Sequence, residues 1–186
     1  MFIRTERLFL RPGWPEDCDD LCAQLNDDAA MLNLARDPWP RTAEEARSFI
    51  DRPRHRLLPH FFITLPTCDG AKLIGSIGLG RDGDDVEVGY WIARDYRRRG
   101  FATESLRAVV AQARALGHPG LVATHFIDSS GASRVLAKAG FLPSRSVCQR
   151  YSATRGGMVE ANRFTMALNS FGPEAGNDDG GGVKVA

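Results

Sequence analysis

Between Val86 and Leu116 the hydrophobic pattern changes period in mid-chain, and this limits the possible folds more than any other feature. Val86 to Ile92 is a β-branched and aromatic run that reads as a strand. Beyond an arginine-rich turn, Leu106, Val109, Val110, Ala113 and Leu116 recur at spacings of 3, 1, 3 and 3. That is the stripe of an amphipathic helix, with Gly117 as its stop. Leu121 to Ile127 is β-rich again. A strand–helix–strand unit therefore sits at the centre of the chain, as in a mixed sheet flanked by helices.

The flanking segments extend that sheet. Ile3 to Arg11 reads as a first strand, punctuated by Pro12 and Pro15. Leu21, Leu25 and Leu32, with Cys18 and Cys22 on nearly the same stripe, predict a helix over 16–32 that Asp37-Pro38-Trp39-Pro40 breaks. Thr42-Ala43-Glu44-Glu45 is a capping box for a second helix to about Arg52. Phe61–Leu65, Lys72–Leu79 and Val86–Ile92 form a meander with turns at Thr67–Gly70 and Arg81–Asp85. Glycines in the middle strand mark where another backbone comes close. Ser133–Ala139, closed by Gly140, is a short helix, and Phe141–Tyr151 and Val159–Leu168 are the last strands. The order β-α-α-β-β-β-α-β-α-β-β is that of an α/β chain with one mixed sheet. Residues 1–170 read as one domain and 171–186, rich in Gly and Asp, as a disordered tail.

Composition narrows the function. Lys and Arg number 24 against 23 Asp and Glu, a formal net charge of +1, which argues against a dedicated nucleic-acid binder. No apolar run approaches the roughly 20 residues of a membrane span. Charges at Arg4, Glu6 and Arg7 stand where a signal peptide would be apolar. Cys18, Cys22, Cys68 and Cys148 are too few and irregular for a disulfide framework. Cys18 and Cys22 read as buried or half-buried thiols, and a cytoplasmic location is expected. His55, His60, His118 and His125 lack metal-ligand spacing, and no metal is expected.

The turn between strand and helix, Arg97-Arg98-Arg99-Gly100-Phe101-Ala102-Thr103, carries the chemistry. A helix start exposes unpaired amides and a partial positive charge, a seat for an anion. Gly100 lets backbone approach that anion, Ala102 leaves room beside it, and three arginines surround it. A diphosphate ligand fits these features; a solvated arginine run before an ordinary helix is the plainer alternative. Neither GxxxxGK[ST] nor a GxGxxG after a strand occurs.

Arg97-x-x-Gly100-x-Ala102 resembles the pyrophosphate-binding loop of the GCN5-related N-acetyltransferases, the GNAT family. Glu87–Ile92 through Arg99–Glu104, Arg4–Arg11 and Ser133–Phe141 are similar to its ribosomal-protein alanine acetyltransferase branch, the RimJ/RimL type. The resemblance spans residues 3 to about 168. It implies the GNAT fold, in which Val86–Ile92 and Leu121–Ile127 are the fourth and fifth strands and splay apart. It implies acetyl-CoA as donor and a primary amine as acceptor, either a peptide N-terminus or a small molecule, with direct transfer through a tetrahedral intermediate. The pantetheine arm would pair with the backbone of Tyr90, Trp91 and Ile92 like an added strand. Arg97 and the segment Arg98, Arg99, Gly100, Phe101, Ala102 and Thr103 would hold the pyrophosphate.

An amine attacks only when neutral, so a base must stand at the cleft. Glu87 is the candidate, as carboxylates at similar positions serve in related enzymes; a cross-strand ion pair with an arginine is the alternative. Many relatives place a Tyr where Leu136 stands. The branch's Asn-x-x-Ser is Ser129 and Ala132 here; Ser129 is expected to bond the arm and Ser133 to cap or face solvent. His125 is a candidate cleft residue. Trp14 and Trp39 are expected in core or lid, and Tyr151 and Glu160 in packing or surface roles. Arg52-Pro53-Arg54-His55-Arg56 reads as a wet cationic loop. A non-catalytic acyl-CoA sensor and a nucleotide-phosphate binder are the rival functions, and both monomer and homodimer stay open.

Overall fold

The computed structural model describes residues 1–25, 40, 42–53, 55–152 and 155–168. The 16–32 helix beyond Leu25, Trp39 with most of the 37–40 breaker, Arg54 and the 171–186 tail lie outside the described residues. Eight strands form one sheet: β1 Ile3–Arg4, β2 Phe9–Arg11, β3 His60–Thr67, β4 Gly70–Asp82, β5 Asp85–Ile92, β6 Gly120–Phe126, β7 Leu142–Ser152 and β8 Gly157–Ala167. The described helices are α1 Cys18–Leu25, α2 Ala43–Asp51, α3 Phe101–Ala115 and α4 Ser130–Ala139. Spatial order is β1-β2-β3-β4-β5-β6-β8-β7. Neighbours run antiparallel except β5 and β6, which are parallel and share one register pair, Glu87 with Val122. The mixed sheet and its central crossover are as expected from the change of period.

Several boundaries move for local reasons. The expected first strand over 3–11 is a hairpin, because Thr5 folds the chain back. The Thr5 amide donates to the Leu8 carbonyl at 3.0 Å, and its Oγ1 accepts from the Leu8 amide at 3.0 Å. α1 begins at Cys18, after a 3-10 turn over Pro15–Asp17. That turn is fixed by Asp17, which accepts two bonds from the Arg11 guanidinium at 2.7 and 2.6 Å and one from the Trp14 amide at 2.7 Å. Both side chains are under a tenth exposed, so removing either partner would strand a buried charge. The Thr42 capping box is present, with the Glu45 amide donating to Thr42 Oγ1 at 3.2 Å. β4 runs three residues past Leu79 because its ladder with β5 continues to Asp82 opposite Asp85. α4 starts at Ser130, three residues before the expected Ser133.

Two apolar layers sandwich the sheet. Leu106, Val109 and Ala113 of α3 and Leu136 of α4 pack with Phe61, Ile63, Ile77, Val86 and Val88. Leu21, Ala46 and Ile50 of α1 and α2 pack on the other face with Phe62, Leu73 and Trp91. Cys18 is buried in this second layer and Cys22 packs half-buried against it. Alternation along β5 thus turns Val86 and Val88 toward α3, and Glu87, Gly89 and Trp91 toward α1 and α2. Gly75 has a steric reason to be glycine: a Cβ there would collide with the Trp91 carbonyl. No described helix is long and apolar enough to cross a membrane.

Candidate active site

Beyond Glu87 and Val122 the strands β5 and β6 part, and a cleft of about 900 Å³ opens between them. At one end stands the β5–α3 loop. Arg98 adopts a left-handed φ of 61° and Gly100 one of 84°, and the first helical bond runs from the Glu104 amide to the Gly100 carbonyl at 3.0 Å. The amides of Phe101, Ala102 and Thr103 precede that bond, so the helix offers them no acceptor. Arg97, Arg98, Gly100, Phe101, Ala102 and Thr103 all line the cleft. The exception among the named loop residues is Arg99, which is not in the lining; its guanidinium lies 5.6 Å from the Tyr96 ring. Arg97 also supports the strand end, its Nε donating to the Ile92 carbonyl at 2.8 Å. Curled backbone with forward-facing amides suits a diphosphate, so the residues present fit a coenzyme A group.

A latch from the N-terminal hairpin holds this loop. Glu104 accepts from Thr5 Oγ1 at 2.6 Å, from the Arg7 amide at 2.8 Å and from Arg7 Nε at 2.8 Å. Arg7 Nη1 also donates to the Arg99 carbonyl at 3.0 Å, and its guanidinium lies over the Phe101 ring. Burial pushes the Glu104 carboxyl up, but the bonds from Thr5 and Arg7 outweigh it and hold its pKa below the ordinary value. Sequence reading does not find this latch. An acid in a first helical turn is a visible cue, but its partners lie 97 and 99 positions away.

Tyr90, Trp91 and Ile92 line the cleft along β5. The Tyr90 hydroxyl is buried and bonds no described group, and burial raises its pKa, so the phenol stays protonated. Glu87, 9% exposed, stands where the strands part. Arg150 Nη2 lies 3.5 Å from its Oε1, so the arginine contact expected as the alternative exists. Arg150 is held more closely by Asp82, through an Nη1–Oδ1 bond of 2.7 Å and a second bond from Nη2. Arg163 bonds the same carboxylate at 2.9 Å and also pairs with Asp85. The Arg150 hydrogen bonds, against an opposing burial effect, lower the Asp82 pKa to about 2. No sequence signal marks Arg150 or Arg163 for this cluster.

On the β6 side, Ser129, His125 and Leu136 line the cleft. Ser133 neither caps α4 nor faces solvent: its Oγ lies 2.9 Å from His125 Nε2. His125 Nδ1 lies 2.8 Å from the Phe126 carbonyl, which can only accept, so Nδ1 carries the proton and Nε2 accepts from Ser133. Arg134 and Lys138, outside the sequence expectations, also line the cleft. Arg52 lines it near Phe49, whereas Tyr151 and Glu160 are exposed outside it. Trp14 is 44% exposed under the Arg11 guanidinium, so it is not a core residue. Among the described residues no group of three or more potential metal ligands occurs.

Comparison with known proteins agrees with this geometry. The family described as the acetyltransferase (GNAT) domain matches residues 7–142. The uncharacterized N-acetyltransferase YoaA of Bacillus subtilis (strain 168) is 32% identical over 170 residues, covering 88% of this chain and 95% of that protein. A GNAT-family acetyltransferase from Bacillus anthracis superposes with a TM-score of 0.75 at 19% identity, over 90% of this chain and 99% of that one. RimJ of Mycobacterium smegmatis, solved with CoA-disulfide, gives a TM-score of 0.73 at 21% identity, over 86% and 81% of the two chains. With its splayed strands and helix-start loop in place, the chain belongs to the GNAT family of acetyl-CoA-dependent acetyltransferases.

Proposed function

We propose that this protein transfers the acetyl group of acetyl-CoA directly to a primary amine, with Glu87 as the base. The observation that carries the reading is the placement of Glu87 at the parting of β5 and β6, in the same cleft as the 98–103 loop. Acetyl-CoA supplies an activated thioester. The amides of Phe101, Ala102 and Thr103 bind its diphosphate, and β5 orients its arm. Glu87 takes the proton of the incoming ammonium, directly or through one water. That step is easier for an α-amine, with a pKa near 8, than for a lysine, near about 10.4. Arg150 pairs with Asp82 at 2.7 Å and lies farther, 3.5 Å, from the Glu87 carboxylate. The four cysteines are free thiols, which suits a reducing cytoplasm.

Thiol release from acetyl-CoA, measured with a panel of amines and peptides, tests the reading. Glu87→Gln is expected to lower kcat about 100-fold or more and to change the shape of the pH–rate profile, with acetyl-CoA binding unchanged. An unaltered profile removes Glu87 from the role. Acetyl-CoA binding without turnover on any amine would favour the non-catalytic sensor.

A further inference from the structure

On the α1/α2 face of the sheet, Gly89 lies opposite Gly78, Glu87 opposite Gly80, and Trp91 opposite Ser76. Three glycines, Gly78, Gly80 and Gly89, therefore floor the cleft beside the proposed base. A glycine inside a strand costs about 0.5–1 kcal/mol, and an aromatic ring laid over such a gap can offset it. His60 covers Gly78, where an added Cβ would come within 2.5 Å of His60 Cδ2. Among the described residues Gly89 has no such cover: it is exposed, and a Cβ there would meet no described atom within 4 Å. The ring of Phe49 stands edge-on to His60 at 5.3 Å and walls the same cleft.

Resting on the transfer reading above, we infer that the acceptor is a primary amine with an aromatic ring close to its nitrogen. The ring lies on the bare backbone at Gly89, against the Phe49 wall, and the ammonium reaches Glu87 two residues along the strand. Charge supports a singly cationic acceptor. Glu87 and Asp128 are the acids lining the cleft among the described residues; Asp128 is bonded to Arg155 at 2.9 Å, and Glu87 lies 3.5 Å from Arg150. A polyamine would bring further positive charges that no other lining carboxylate among the described residues meets. A free aromatic amino acid and a peptide with an aromatic first residue share this chemistry.

The test compares kcat/KM for phenylalanine, a Phe-initiated peptide, an Ala-initiated peptide and spermidine, using wild type, Gly89→Val and Phe49→Ala. One of the two aromatic amines is expected to exceed both others about tenfold or more, and which one identifies the source. Gly89→Val is expected to lower that value about 10- to 100-fold, with an unchanged thermal shift from acetyl-CoA and a melting temperature no lower than wild type. Phe49→Ala should lower it in the same direction. A preference for spermidine or the Ala-initiated peptide, or undiminished aromatic turnover in Gly89→Val, overturns the inference while the transfer reading stands. No turnover on any amine overturns both.

Discussion

Replacing Asp82 with asparagine tests the arginine clamp at the parting of the strands. Asp82 holds Arg150 and Arg163, and its pKa falls from 3.8 to about 2. At about 1.4 kcal/mol per unit, that shift is worth roughly 2–3 kcal/mol at most. The two guanidinium side chains are 21% and 22% exposed, so solvent screens the cluster in part, and about 2 kcal/mol is the working figure. For a chain of this size the loss corresponds to a melting temperature about 4–8 °C lower. The sign of the pH dependence follows from a depressed carboxyl. The contribution is complete above the unfolded value of 3.8 and drains away as pH falls through about 2. The substituted amide does not titrate, so urea midpoints of the two proteins should differ by a constant amount above about pH 5 and converge toward about pH 2. A gap of equal size at about pH 7 and about pH 2.5, or no gap at neutrality, would refute the assignment.

Gly100→Ala places a side chain at a φ of 84°, with its Cβ 3.3 Å from Arg7 Nη2; a stability loss of about 1–2 kcal/mol and a weaker thermal shift from acetyl-CoA are expected. Arg7→Ala removes the guanidinium bonds to Glu104 and to the Arg99 carbonyl, which leaves the partly buried Glu104 short of donors. It should raise the KM for acetyl-CoA several-fold while kcat at saturation changes little. Thr42→Ala deletes a helix cap and should cost about 1 kcal/mol by denaturant titration, with no kinetic effect.

What can be read in one dimension is whatever local chemistry encodes. The change of period after Ile92 places the crossover, Thr42 and Glu45 place a helix start, and Gly117 and Gly140, with φ of 80° and 96°, end two helices. The residues named for the site gather around one cleft, the Arg99 side chain excepted. Features made by distant partners are out of reach. Arg150 meets Asp82 across 68 positions and Arg7 meets Glu104 across 97, and neither sequence neighbourhood marks the other. The first hairpin reads as one strand because Leu8, Phe9 and Leu10 carry strand propensity, while a single threonine side chain decides the bend. Ser133 defeats a local reading because its partner, His125, sits on another element.

The joint between β5 and β6 rests on one residue pair. The sheet is thus two panels that meet along a seam, the first carrying β1 to β5 and the second β6 to β8. A coenzyme arm lying in that seam would act as a removable rib, supplying backbone pairing that the polypeptide itself leaves out. Occupancy would then stiffen the whole molecule, and amide exchange along both flanking strands should slow together when acetyl-CoA binds.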